Sequence, residues 1–358
     1  MTSRFGRVSL GWIALAVCGQ SITEAQRAAP VELYRLTLPC KPAPPPSGES
    51  SSAWAVAGDW AVGFCERPDE RGFRWSRATG PTLLLPAPGA VTSWASAVNR
   101  TGTTAGVSYP GEVLTLWSAG SGTGTPLSLP YGGAADLRPT ALNDAGVLVG
   151  HVETFDGFRS WVWDPVNGSR ALPSLGFPPS GLATDINALG RISGYIEPSF
   201  PVTSPIPFVF DLASGTSTFL ATASGGQAFG LDDAGNVVGK AFSLPPGGPS
   251  PPCLWRTSTD RLDLTEGSPF AGASGMALDV NEDGLVVGEL VPNTLPGQRR
   301  AFVWSEALGL RDLNDLVENR GSVLLLTALD VSDRGWIVGI ARDTASGTQT
   351  MAFLLRPR

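Results

Sequence analysis

The chain has 358 residues, with 44 glycines, 31 prolines, 42% hydrophobic and 16% charged residues, and a formal net charge of −7. It is too polar for a membrane protein, too apolar for a disordered one and too interrupted for a helical bundle, which leaves a β-rich chain with an ample core. Only Lys41 and Lys240 are lysines and the arginines are scattered along the chain, so nucleic acid is not an expected partner: phosphate binding needs a concentrated basic surface.

Arg4 and Arg7, followed by an apolar stretch over residues 8–17, read as an export signal too short to span a bilayer. Cleavage after Ala25 gives a signal over 1–25 and a single domain over 26–358. Leu15-Ala16-Val17-Cys18 resembles a bacterial lipobox, which makes lipid anchoring at Cys18 the alternative. Either way the chain is expected to be bacterial and secreted, periplasmic or at the cell surface. Residues 31–38 are rich in strand formers, with a slip of alternation at Tyr34-Arg35 that a bulge would reconcile. Pro42, Pro44, Pro45 and Pro46 make residues 41–52 a stiff connector.

From residue 53 onwards one unit recurs seven times. An apolar run leads into a turn and a second apolar run, as in Ala141-Leu142-Asn143-Asp144-Ala145-Gly146-Val147-Leu148-Val149-Gly150. The second glycine recurs at Gly63, Gly106, Gly150, Gly194, Gly239, Gly288 and Gly339. A third run ends on a large residue: Trp75, Trp117, Trp163, Phe210, Trp255, Trp304 or Leu355. Five residues later stands Gly80, Gly122, Gly168, Gly215 or Gly309, then a leucine-rich run. These lengths suit strands and not helices. In the Asn-x-x-Gly turns at Asn99, Asn143, Asn187 and Asn281, the Asn side chain accepts a backbone N–H while the glycine takes positive φ.

A four-stranded unit that is apolar on both faces must be covered twice, and radial stacking around an axis does this. The expected fold is all-β: a seven-bladed β-propeller of four-stranded antiparallel blades over 53–358. The seventh unit runs out of chain before its fourth strand, so the strand at 31–38 is expected to complete the last blade and close the ring. That closure would bring Cys40 beside Cys65, the expected disulfide, and leaves Cys253 as a small buried residue.

The pattern A-h-N-x-x-G-x-h-V-G, followed by A-F-h-W as at Ala301-Phe302-Val303-Trp304, resembles the bacterial extracellular repeat proteins of the HAF family. The resemblance covers nearly everything after residue 50, although the histidine of the family name is absent from every copy. It implies export and a propeller-like fold, and no reaction or catalytic residue.

His151, the only histidine, falls in the loop after Gly150 without a G-x-S-x-G elbow, which argues against a Ser-His or Cys-His scheme. Asp279, Asn281 and Asp283 match the first half of a calcium loop, but the next ligand is missing. Turn chemistry accounts for the Asn and Gly of every copy and calcium for one, so no cofactor or metal is expected. The segments between the second and third strands vary in length while the Asn-x-x-Gly turns on the opposite face do not, and variable loops on a rigid scaffold are where binding resides. Tyr109, Phe155, Phe158, Arg159, Tyr195, Phe200, Arg299 and Arg300, with the long connection 314–327, mark that loop face. The expected function is a non-enzymatic binding scaffold for a surface glycan or protein, monomeric and without a transmembrane span. The alternative is a hydrolase or lyase acting on glycans through carboxylates at the central channel, against which no repeat is expected to place a carboxylate at a matching position.

Overall fold

A computed structural model describes residues 34–37, 50–66, 70–131, 135–155, 157–173, 181–197, 204–243, 247–345 and 350–358. The expected signal, the Cys18 and Cys40 positions and most of the proline-rich connector lie outside the described residues. Glu32–Arg358 is one compact unit, and no helix among the described residues is long and apolar enough to cross a membrane.

Seven antiparallel sheets follow the seven repeats: blades 1 to 7 at 51–84, 92–126, 135–171, 181–219, 226–263, 274–312 and 323–357. Blade 1 begins at Ser51, two residues before the repeat boundary read from the sequence. The first strand of each blade touches the first strands of both neighbours, and that of blade 7 touches that of blade 1, so the ring is closed.

Closure occurs as the repeat count requires. Tyr34–Thr37 pairs antiparallel with Thr350–Pro357 as the fourth strand of blade 7. The pairing runs without a shift from Tyr34↔Pro357 to Thr37↔Leu354, so the bulge expected at Tyr34-Arg35 is absent. Tyr34 is buried in the core of blade 7, which pushes its phenol up to about 12. A fifth, parallel strand, Val317–Glu318, pairs with the outer side of the closing strand.

The second glycine of each repeat has a steric reason. Every first strand carries a β-bulge at the same place, between Ala53 and Ala55 in blade 1 and between Ala277 and Asp279 in blade 6. The bulge leaves the carbonyl of the preceding residue over the glycine of the second strand. A Cβ on Gly288 would lie 2.0 Å from the Met276 oxygen and 2.7 Å from the Phe302 ring. The ring across the ladder fills the space over the glycine: Gly63↔Phe73, Gly150↔Trp161, Gly194↔Phe208, Gly288↔Phe302 and Gly339↔Phe353 are register partners, and these aromatic residues are fully buried. Each such ring contributes about 1.5–3 kcal/mol by burial. Cys253, free and buried, takes the same place opposite Gly239.

Candidate functional site

The two faces of the ring are built differently. On the turn face, the Asn side chain fixes its own turn and reaches the next blade. Asn187 Oδ1 accepts the Leu189 and Arg191 N–H groups at 3.1 and 2.9 Å, and its Nδ2 donates to the Asp232 oxygen at 3.0 Å. Asn99 donates to the Asn143 oxygen, Asn143 to Asn187 and Asn281 to Ser332, at 3.2, 3.0 and 2.9 Å. The turn reading of these asparagines is therefore half of their role. In blade 5, where Asp232 replaces Asn, its carboxylate binds Asn236 instead.

The channel mouth on this face carries Asp144, Asp233, Glu282 and Asp333 beside one cation, Arg100. Arg100 pairs with Asp144 of blade 3 and, across Gly58 of blade 1, with Asp333 of blade 7 at 2.9 Å. Gly58 takes a positive φ of 57°, and the Arg100 side chain packs against it, a Cβ there lying at ordinary contact distance of 3.5 Å.

Below the mouth, a cavity of about 220 Å³ is lined by Asp185, Asp279 and Asp330 together with Trp54 and Phe229. The three aspartates occupy one register position, the residue just after the bulge, contrary to the expectation that no repeat matches a carboxylate. Each accepts a backbone N–H from the next blade. Asp185 takes that of Leu231 at 3.0 Å, Asp279 that of Val331 at 2.8 Å and Asp330 that of Val56 at 2.7 Å. Burial pushes the Asp185 carboxyl up to about 7, and raises Asp279 and Asp330 as well. Burial, and after it the nearby Asp330 charge, holds the Asp279 carboxyl well above the usual carboxylate range.

The candidate calcium set does not converge. Asp279 faces the channel, Asn281 Oδ1 accepts the Asp283 and Leu285 N–H groups, and Asp283 is exposed. Among the described residues no group of three or more His, Cys, Asp or Glu side chains could hold a metal ion. Cys65 is disulfide-bonded; Cys40 lies outside the described residues.

On the loop side, the residue after the second glycine turns toward the next blade. In blades 3 to 6 that residue is His151, Tyr195, Lys240 and Glu289, a run that sequence reasoning did not single out although the repeat marks the position. His151 is a strand residue, half-buried, and its Nδ1 lies 3.1 Å from the Ala183 oxygen; it is not a solvated loop histidine. Burial lowers its imidazole pKa. Tyr195 packs edge-on against Phe229, and burial raises its phenol to about 12. The Lys240 ammonium lies over Phe242, 5.6 Å from the ring centroid, and burial lowers its pKa against the pull of Glu289. Glu289, itself buried, accepts the Thr327 hydroxyl at 2.7 Å and pairs with Arg299 at 3.5 Å.

Several expected loop-face residues contact neighbouring side chains. Tyr109 lies edge-on to Trp94, Arg159 stacks over Tyr131, Arg299 is held by Glu289, and Phe158 meets the His151 ring. The Arg300 Nε is buried without a hydrogen-bond partner. The connection 314–327 is no free loop: Asn314, Leu316, Val317, Leu324 and Leu325 are buried, and Asn314 binds Leu325 through both its oxygen and its amide. Phe200 lies outside the described residues. Phe155 stands on the loop face at 108% relative exposure, on the tip between Leu148–Thr154 and Gly157–Asp164.

No protein-family model matches the chain, and no curated protein does. Solved structures share its fold. It is similar to the β-propeller domain of the Trilobed protease from Pyrococcus furiosus, described as having an open velcro topology (TM-score 0.57, 9% identity, 91% of this chain and 94% of that one). It is also similar to an oligogalacturonate lyase from Vibrio parahaemolyticus (0.57, 10%, 90% and 93%) and to an acylaminoacyl peptidase from Pyrococcus horikoshii (0.58, 9%, 87% and 52%). At these identities the likeness is one of fold, and fold does not carry function.

Proposed function

We propose that the chain is an exported, non-enzymatic β-propeller of the HAF-repeat type, which serves as a binding scaffold at the bacterial cell surface and engages a glycan or protein through its loop face. The observation that supports this is the division of labour between the faces. The turn face is laced blade to blade by asparagine amides and by the Arg100 pairs. The loop face varies in length and carries a fully exposed phenylalanine.

The second reading, a glycan hydrolase or lyase, draws on the Asp279–Asp330 pair in the channel. All three channel aspartates are engaged by the backbone of the following blade, which supports a structural assignment for them. The test is a screen of the full chain against arrayed glycans and purified surface proteins, with and without EDTA. The scaffold reading expects saturable binding that survives EDTA and releases no product. Depolymerisation of a glycan that is lost in Asp279→Asn and Asp330→Asn would replace it with the enzymatic one.

A further inference from the structure

The arginines that look scattered in sequence converge where the ring closes. A cavity of about 300 Å³ at the seam between blades 7 and 1 is lined by Arg77, Trp336, Arg356, Pro357 and Arg358. Arg77 lies on the turn between Arg71–Ser76 and Gly80–Leu84 of blade 1. Arg356 comes from the last strand, and its Nη2 reaches Thr37 of the closing strand at 3.3 Å. Neither Arg77 nor Arg356 forms an ion pair among the described residues.

The repeat itself shows what is unusual here. Arg256 of blade 5 and Arg356 of blade 7 each follow the large residue of a third strand. Arg256 pairs across the blade boundary with Glu306, which stands two residues after Trp304. The residue two after Trp75, in the corresponding place for Arg356, is Arg77. One inter-blade contact is thus a salt bridge, and its counterpart at the seam sets two guanidinium groups in one cavity. At the equivalent cavity between blades 4 and 5, Arg191 is neutralised by Asp211.

The Arg356 guanidinium is also preorganised. It lies 5.9 Å from the ring centroids of both Trp75 and Trp336, and its Nε is buried without an acceptor. The two ring centroids are only 6.1 Å apart, so both rings stand on one side of the guanidinium, and such cation–π contact leaves its remaining N–H groups to an acceptor. We infer that this seam cavity binds an oxyanion, a phosphate, sulfate or carboxylate group, bridging Arg356 and Arg77. Charge-assisted, forked N–H donors suit that chemistry.

The test is calorimetric titration and thermal melting of the full chain with inorganic phosphate, sulfate and acetate, against chloride at matched ionic strength. Saturable binding of at least one oxyanion is expected, with a rise in melting temperature that chloride does not give. Arg77→Glu rebuilds the pair that Arg256 makes with Glu306. It should melt higher than the parent in chloride and lose at least tenfold in anion affinity, while Arg191→Gln at the other cavity leaves that affinity unchanged. No saturable binding of any of the three anions by the parent, or equal binding by Arg77→Glu, overturns the inference. Because Arg77→Glu is expected to gain stability, a fold defect cannot stand in for lost binding.

Discussion

Gly284 and Gly288 lie four residues apart in blade 6, yet alanine is opposed at each for a different physical reason. At Gly284 the backbone is left-handed, with φ of 73°, and a Cβ would meet nothing within 4 Å. The cost of Gly284→Ala is the left-handed penalty alone, about 1–2 kcal/mol. At Gly288 the added Cβ would lie 2.0 Å from the Met276 carbonyl oxygen and 3.0 Å from the Ala277 Cα, both backbone atoms of the adjoining strand. Relief requires moving that strand off its bulge or driving the Phe302 ring out of the core. The expected cost is the upper range of overpacking, about 3 kcal/mol or more. Urea unfolding followed by tryptophan fluorescence ranks the two variants. A midpoint for Gly288→Ala at or above that of Gly284→Ala would refute the claim that the bulged carbonyl dictates the second glycine.

Other consequences follow from the channel and the turn face. Since burial raises Asp185 to about 7, against about 3.9 in an unfolded chain, the folded state binds protons more tightly. Stability from this group is full below about pH 4 and declines as pH rises through 7. The fall in melting temperature across that range should shrink in Asp185→Asn, with the Asp279 and Asp330 contributions left. Asn143→Ala strips the part-buried Val147 N–H of its acceptor and the buried Asn187 oxygen of the next blade of its donor. A loss of about 1–3 kcal/mol in urea denaturation is expected.

The blades were legible because their determinants are local and repeated: turn glycines at positive φ, a glycine under an aromatic ring, and runs of strand length. The closing strand was legible from arithmetic on the repeat. What escaped lay between blades. The carboxylates at 185, 279 and 330 matter through a bulge that tips each toward its neighbour, and no alternation rule reports a bulge. The run His151, Tyr195, Lys240, Glu289 shares one repeat position but no residue type, so it carried no motif. Arg77 and Arg356 are 279 positions apart in the chain and meet only when the ring closes. The repeat points to Gly122 at the turn of blade 2, but Gly120 takes the positive φ there, in a turn whose Ser118 and Ser121 carbonyls accept from buried Arg74 of blade 1. The connection 314–327 reads as a loop in sequence because its leucines follow no strand period, yet they cover the core of blade 7.

The loop-face assignment is tested most directly by comparing exposed apolar residues on opposite faces. Phe155 stands on the loop face, while Leu189 and Val166, 59% and 87% exposed, stand on turn-face hairpins. All three can be changed to serine at little cost in stability. For the glycan or surface protein that binds most tightly in the screen, Phe155→Ser should weaken affinity at least tenfold, with Leu189→Ser and Val166→Ser unchanged. Equal affinity in Phe155→Ser, with loss in either turn-face variant, would contradict the assignment.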